Sequence, residues 1–208
     1  MRDRANPFVA REGVPFLIAT VVAIFAVGQL VDLVWTIIPS IVLIWFFLIF
    51  RDPLRAVPAV PLGVLSPVDG TVLEVGITDN GALNGEAHRI LIRVNMLGTY
   101  TARCPTEGKI MDFRGAVPER APVGHASGFW VQTDEEEDVV LQFRGHRFGR
   151  APLAFLGYGE RVGQGQRCAY LRLTRLAEVQ LPVNSRVHVT VGQKVAAGVD
   201  VLAKLPHP

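Results

Sequence analysis

One pattern occurs twice in this 208-residue sequence, as Gly159-Glu-Arg-Val162-Gly-Gln-Gly165 and as Gly192-Gln-Lys-Val195-Ala-Ala-Gly198. Each copy places a valine three residues after its first glycine and a second glycine three residues after the valine, and a hydrophobic run follows. Glycine tolerates the positive φ that a tight turn requires, and the valine between them can pack beneath the turn. The repeat therefore predicts two equivalent turns, each leading into a β-strand.

Short β-like runs fill the sequence around these turns. Gly, Pro, Asn or Asp separate them about every 8–20 residues, and helical periodicity is nearly absent, as is typical of strands joined by turns. The predicted strands are 71–77, 89–95, 109–113, 129–133, 139–143, 167–173, 177–181, 185–189 and 199–204. We expect a mainly β fold, a barrel or sandwich, whose two glycine turns resemble the hammerhead turns of biotinyl/lipoyl-type barrels.

The beginning of the chain has a different character. Residues 13–50 carry one charge, Asp32, in 38 positions, whereas 19% of the whole chain is charged. A single helix over this stretch would be roughly 55 Å long, against a bilayer core about 30 Å thick. Because Gly28, Gln29 and Asp32 interrupt the stretch near its middle, we predict a transmembrane helical hairpin with helices over 15–30 and 33–50. Each helix is short for a full span, so a hairpin that enters the bilayer without crossing it is the alternative.

Basic residues flank the predicted hairpin on both sides. Arg2, Arg4 and Arg11 precede it, and Arg51 and Arg55 follow it. Lys and Arg favour the cytoplasmic side of a membrane, so both ends of the hairpin are expected in the cytoplasm, beneath the inner (plasma) membrane. The predicted organisation is a cytosolic tail over 1–12, the membrane hairpin over 13–50, a Pro-rich linker over 51–61 and a β-rich domain over 62–208.

Composition excludes several classes of function. The net charge is +2 and no cluster of Lys or Arg marks the β-rich part, so nucleic acid is not an expected partner. Cys104 and Cys168 are the only cysteines, too few for a disulfide framework or a zinc site. We therefore expect two reduced thiols and no bound metal.

Three stretches, in this order, resemble the short prokaryotic (archaeal-type) form of phosphatidylserine decarboxylase. They are Arg11-Glu-Gly-Val-Pro-Phe16, Phe50-Arg-Asp-Pro-Leu-Arg55 and Ser66-Pro-Val-Asp69-Gly-Thr-Val72, and the resemblance covers about residues 10–205. It implies a membrane enzyme of phospholipid metabolism that cuts its own chain at a Gly-Ser dipeptide and turns the serine into a pyruvoyl group. That group forms a Schiff base with the substrate amine and takes up electrons as CO2 leaves. A histidine and the aspartate matched by Asp69 assist the serine.

The sequence departs from this family pattern at the reacting residues. In the motif Asp-x-His-x-Asn-Arg-x-Pro, Tyr100 replaces the histidine and Arg103 is kept; in Arg-Phe-Gly-Ser, Thr174 and Arg175 replace Gly-Ser. Tyrosine, with a pKa of about 10, is a poor base at neutral pH. The four serines follow Pro39, Leu65, Ala126 and Asn184, so there is no Gly-Ser and no pyruvoyl cofactor is expected. The remaining candidate bases are His88, His125, His146, His188 and His207.

Three interpretations stay open. The favoured one is a non-catalytic relative that binds phosphatidylserine or another anionic lipid, or regulates a partner lipid enzyme, with Arg103 and Arg175 contacting the headgroup because guanidinium suits phosphate and carboxylate. The second is an active decarboxylase making phosphatidylethanolamine at a non-standard site built from Asp69, Tyr100, Thr174 and Arg175. The third is a membrane-tethered lipoyl-like barrel serving as an adaptor. Expected partners are the phospholipid membrane, a second copy of the chain or a lipid enzyme. The alternative to a catalytic role for Asp69 is a structural one, because Asp-Gly suits a turn that opens a strand.

Overall fold

The computed structural model describes residues 8–79, 81–83, 85–111, 127–145, 152–154 and 156–206. These residues form two compact units. The helical unit runs to Leu54 and includes Leu97–Tyr100; the β unit contains Arg55–Met96 and the described residues from Thr101 onward.

The helical unit contains two helices that pack against each other. A 3-10 turn, Arg11–Gly13, leads into α1, Val14–Leu30, and a second 3-10 turn, Leu33–Thr36, leads into α2, Ile37–Phe50. The beginning of α1 lies beside the end of α2, because the Phe16 and Phe50 rings stack at 5.7 Å and the Ala10 amide donates to the Phe50 carbonyl at 2.8 Å. The chain reverses at Asp32, as the sequence predicted.

The surface of this unit is apolar. The stretches Arg11–Leu30 and Leu33–Phe50 are each long and apolar enough to cross a bilayer, and only 11% of either is buried. Phe25 and Leu30, for example, are 70% and 83% exposed. An apolar surface of this kind is unfavourable in water, so the two helices indicate that the protein associates with a membrane.

The β unit contains fourteen strands among its described residues. They are β1 Gly63–Leu65, β2 Gly70–Thr78, β3 Ala87–Val94, β4 Thr101–Arg103, β5 Gly108–Ile110, β6 Ser127–Gln132, β7 Asp138–Arg144, β8 Leu153–Ala154, β9 Arg161–Val162, β10 Arg167–Tyr170, β11 Leu176–Pro182, β12 Arg186–Val187, β13 Lys194–Val195 and β14 Val201–Lys204. The mainly β fold predicted from the sequence is confirmed.

These strands form one large and two small antiparallel sheets. The large sheet has the order β13-β2-β3-β11-β7-β6-β5-β9, and the small sheets have the orders β1-β14-β12 and β4-β10-β8. One face of the large sheet supplies most of the core, with Ile90 and Ile92 of β3, Val179 and Leu181 of β11, and Phe143 of β7 all fully buried. The other face of the same strands is mainly polar.

Both repeated heptapeptides form turns at their glycines, with the two-residue strands β9 and β13 between those turns. All four of their terminal glycines have positive φ, at 79° and 70° for Gly159 and Gly165 and at 87° and 68° for Gly192 and Gly198. The valines between them, Val162 and Val195, are 4% and 5% exposed. A side chain at any of the four glycine positions would therefore strain the backbone.

Several predicted strands are longer than those in the structure; the one predicted over 185–189, for example, is β12, Arg186–Val187. The strand predicted over 167–173 ends at Tyr170, because Arg172 and Leu173 have φ values of 47° and 65° and form a turn instead. The strand predicted over 109–113 is β5, which ends at Ile110, and residues 112–113 lie outside the described part of the chain. Five strands of two or three residues, β1, β4, β8, β9 and β13, were not predicted.

The two cysteines lie together in the core. Cys168 of β10 and Cys104, which follows β4, are free thiols with no exposed surface. Burial raises the pKa of the Cys168 thiol well above its ordinary value, and its hydrogen bond with Cys104 raises the pKa further. The thiolate, which is the reactive form, is therefore strongly disfavoured in the folded state.

We expect both thiols to resist a water-soluble disulfide reagent at about pH 8 in the folded protein and to react at once in denaturant. The measurement is the number of cysteine thiols per chain that react with the reagent, with and without guanidinium chloride. Rapid labelling of either cysteine in the folded protein would contradict the burial of Cys104 and Cys168 in the core.

Candidate functional site

Asp69 lies in a segment that is docked against the second glycine turn. In Ser66–Val72, the Ser66 hydroxyl donates to the Val68 carbonyl at 2.7 Å, and the Ser66 carbonyl accepts a hydrogen bond from the Gly198 amide at 2.7 Å. Asp69 Oδ1 in turn accepts the Ala197 amide at 2.8 Å. The carboxylate therefore caps a backbone donor of the turn that ends at Gly198.

Asp69 also forms a two-pronged ion pair with Arg55. The two guanidinium nitrogens of Arg55 donate to Oδ1 and Oδ2 at 2.6 and 2.7 Å, and one of them also donates to the Ala197 carbonyl at 3.3 Å. The two side chains are only 19% and 13% exposed. Parallel bonds of this kind fix the plane of a carboxylate, so Arg55 and the turn together determine how Asp69 is oriented.

The segment around Asp69 has a structural counterpart in the same chain. Ser66-Pro-Val-Asp-Gly-Thr-Val72 and Cys104-Pro-Thr-Glu-Gly-Lys-Ile110 share a proline, an acidic residue and a glycine at their second, fourth and fifth positions. Each segment receives the terminal amides of one glycine turn. Gly192 and Gly198 donate to the Val72 and Ser66 carbonyls, and Gly159 and Gly165 donate to those of Ile110 and Cys104. Asp69 thus occupies a position that the fold uses twice; this repeat was visible in the sequence but was missed there.

Arg103 lies between the two glycine turns. Its guanidinium donates to the Gly165 carbonyl at 3.2 Å, and its side chain crosses Gly198 so closely that a Cβ at that glycine would lie 2.6 Å from Arg103 Cδ. Its backbone amide donates to the Pro67 carbonyl at 2.9 Å. Arg103 is only 5% exposed, so its hydrogen bonds serve the interior of the unit.

Thr174 and Arg175 follow the turn made by Arg172 and Leu173. The Leu171 carbonyl accepts both the Thr174 amide at 3.0 Å and the Thr174 hydroxyl at 2.5 Å, and Thr174 is 1% exposed. Arg175 is exposed, and the base of its side chain passes over Gly145. Positive φ is uncommon for residues other than glycine, so its occurrence at both Arg172 and Leu173 indicates a strained backbone just before Thr174.

The sheet brings Asp69 and Arg175 to one edge. The Asn95 amide donates to the Asp69 carbonyl at 2.8 Å, and the neighbouring Val94 amide donates to the Arg175 carbonyl at 2.8 Å. Only the end of β3 lies between them, and neighbouring strands are about 4.8 Å apart, which puts the two backbones roughly 10 Å apart. Asp69, Arg103 and the Thr174–Arg175 pair are thus located around this edge and its glycine turns.

Tyr100 belongs to the helical unit. Its hydroxyl donates to Glu12 Oε2 at 3.0 Å, its ring lies 4.8 Å from that of Phe50, and its amide donates to the Arg51 carbonyl at 3.2 Å. These contacts hold together the two ends of the helical hairpin.

The described histidines, His88 and His188, are not among the residues gathered around this edge. His88 lies on β3 opposite Leu181, His188 is exposed, and His125, His146 and His207 lie outside the described residues. Within the described part of the chain no three His, Cys, Asp or Glu side chains come together as metal ligands.

Nearly the whole chain is similar to proteins named phosphatidylserine decarboxylase proenzyme. The protein of that name from Burkholderia ambifaria is 32% identical over 211 aligned residues, which cover 96% of this chain and 97% of the relative. Those from Nitrosomonas eutropha and Nitrosomonas europaea are 28% and 27% identical, over 96% of both chains in each case. No family model matches the sequence.

Proposed function

This chain belongs to the phosphatidylserine decarboxylase family, and from that premise we propose that it is a membrane-bound relative which does not cleave itself and binds an anionic phospholipid headgroup without decarboxylating it. The observation that carries the proposal is the sequence and hydrogen bonding of residues 172–175, where the family cuts its own chain. Thr174 and Arg175 stand where the family resemblance expects the Gly-Ser dipeptide, and the Thr174 hydroxyl is buried and hydrogen-bonded to Leu171.

Self-cleavage at this point would require Thr174 to attack the carbonyl carbon of Leu173. The hydroxyl instead donates a hydrogen bond to the carbonyl of Leu171, three residues back. An attacking hydroxyl also needs a base to accept its proton. Asp69, the retained family aspartate, is occupied by Arg55 and the Ala197 amide, which supports a structural role for it.

Headgroup binding is proposed for Arg175. Its side chain is exposed at the same sheet edge as Asp69 and forms no ion pair with the residues that the structure describes. Guanidinium donates two parallel hydrogen bonds to phosphate or carboxylate, the two anionic groups of a phosphatidylserine headgroup. Arg103 is a weaker candidate for the same role because it is buried. No pyruvoyl group takes part in this proposal.

The proposed location is the inner membrane, with the β unit on its cytoplasmic side. The apolar helices support attachment to a bilayer, and the arginines on both sides of the hairpin support the side. A partner lipid enzyme, or a second copy of the chain, is the proposed protein partner.

An active decarboxylase is the second candidate, because the relatives at 27–32% identity are all named decarboxylase proenzymes. That candidate requires a reactive carbonyl from some source other than Gly-Ser. It therefore predicts a cut or a modified chain, which a mass measurement detects.

We expect the purified protein to have the mass of the complete chain, 22.7 kDa. A cut between Leu173 and Thr174 would instead release a piece of 35 residues, 174–208. The matched control is Thr174→Ala, which removes the only hydroxyl at this position and should leave the mass pattern unchanged. Cleavage that disappears in Thr174→Ala would overturn the proposal in favour of the active enzyme.

A further inference from the structure

A row of basic side chains crosses the polar face of the large sheet, at the edge where Asp69 and Arg175 lie. The strand register aligns Lys194 of β13, Thr71 of β2, Arg93 of β3, Leu176 of β11 and Arg144 of β7. Residues directly opposite each other on paired antiparallel strands project from the same face of the sheet. Lys194, Arg93 and Arg144, here called the basic row, therefore point the same way from alternate strands.

Of the basic row, only Arg144 has a carboxylate partner among the described residues, Glu178 at 3.2 Å. Lys194 and Arg93 are exposed and have no carboxylate partner among the described residues, and the Arg144 side chain is 45% exposed. The carboxylates of Asp69, Glu74 and Glu178 lie near the row, and each of them is paired with an arginine. Glu178 is buried between Arg89 and Arg144. Glu74 pairs with Arg89, which lies four residues from Arg93 on β3 and therefore further from the edge. The exposed edge is thus left positive.

Spacing decides what kind of anion this surface fits. Adjacent members of the basic row are two strands apart, which is about 10 Å, so the row is about 20 Å wide. A single phosphate or carboxylate contacts cations at about 3 Å, so two neighbouring long side chains can converge on it, but it does not match the full width of the row. A flat surface that presents many separate anions can engage all three.

We infer that the basic row docks on the anionic phospholipid surface of a membrane. The chain itself supplies the second argument, because two apolar helices attach it to a bilayer and Arg55, the first residue of the β unit, follows directly on Leu54. Attraction to an anionic bilayer adds about fivefold in affinity for each cation near its surface. The inference does not depend on whether the protein cleaves itself.

The test uses the full chain reconstituted in vesicles, with a fluorescent label on Val191→Cys. Val191 is exposed and three residues from Lys194, and the buried Cys104 and Cys168 should remain unlabelled. Energy transfer to a headgroup-labelled lipid reports how close the label is to the bilayer surface. We expect more transfer with about 30% phosphatidylglycerol than with phosphatidylcholine alone, and loss of the difference in about 0.5 M NaCl.

The variants compare two pairs of cations. Arg93→Gln with Lys194→Gln should shift the docking equilibrium about 25-fold and abolish the response to phosphatidylglycerol. Arg186→Gln with Lys204→Gln removes the same charge from an exposed pair on β12 and β14, in a different sheet, and should keep the response. Equal loss in both double variants, or no response to lipid charge, would overturn the inference. None of these outcomes bears on whether the chain cleaves itself, which the mass measurement decides separately.

Discussion

Glu178→Ala is expected to lower the free energy of unfolding by about 2–3 kcal/mol, because it removes a buried carboxylate that pairs with two partly exposed arginines and leaves the buried Gln180 amide without its acceptor. Glu178 lies on the central strand β11, is 1% exposed, and faces Arg89 at 3.3 Å and Arg144 at 3.2 Å. Its other oxygen accepts the Gln180 side-chain amide at 2.7 Å. Removing the carboxylate leaves two guanidinium groups on one face of the sheet with no buried counter-charge.

The matched control for this prediction is Glu74→Gln. Glu74 pairs with the same Arg89, at 3.7 Å, but its side chain is 53% exposed, so its loss should cost less than about 1 kcal/mol. Unfolding of both variants by denaturant, compared through their midpoints, measures the difference. Losses within about 1 kcal/mol of each other would show that the buried network does not stabilise the sheet as proposed.

The parts of the fold that could be predicted from sequence are those with local signals. The glycine turns were predictable because positive φ strongly selects glycine, and the helices because an apolar stretch with one charge has few alternatives. Strands of two or three residues, such as β9 and β13, contain too few positions to show an alternating pattern.

The turn at Arg172 and Leu173 was not predictable for a related reason. Residues 167–173 are mostly apolar, and no glycine or proline marks the point where the strand ends. Neither arginine nor leucine favours positive φ, so the pairing of the surrounding strands must impose it.

The candidate site depends on contacts between residues far apart in sequence. Asp69 and Arg175 are separated by more than one hundred residues and meet only because β2 and β11 both pair with β3. Likewise, nothing in the linker sequence indicated that Arg55 would bind Asp69, since the prolines around it suggested only a stiff connection. The family resemblance did place Asp69 and Thr174–Arg175 in one site, and the sheet brings them to one edge.

The second large effect is expected for Asp69→Asn, because Asp69 accepts three hydrogen bonds, two of them from a guanidinium. Hydrogen bonds to charged groups contribute about 1.5–3 kcal/mol each when their donors are shielded from water. With the pair 13% and 19% exposed, we expect a coupling free energy between Asp69→Asn and Arg55→Gln on the order of 1.5–3 kcal/mol in a double-mutant cycle.

The internal repeat supplies the control that separates a role in the fold from a role in chemistry. Glu107 occupies the position of Asp69 in the other copy, is exposed and has no partner among the residues described, so Glu107→Gln should change stability by less than about 0.5 kcal/mol. If Asp69 serves the fold, Asp69→Asn unfolds more easily while the mass of the chain stays that of the complete protein. If Asp69 instead assists self-cleavage, the wild-type chain is cut and Asp69→Asn is intact, with little coupling to Arg55. The stability of Asp69→Asn and Glu107→Gln, together with the masses of these variants and of the wild-type chain, therefore decides between the structural and the catalytic role.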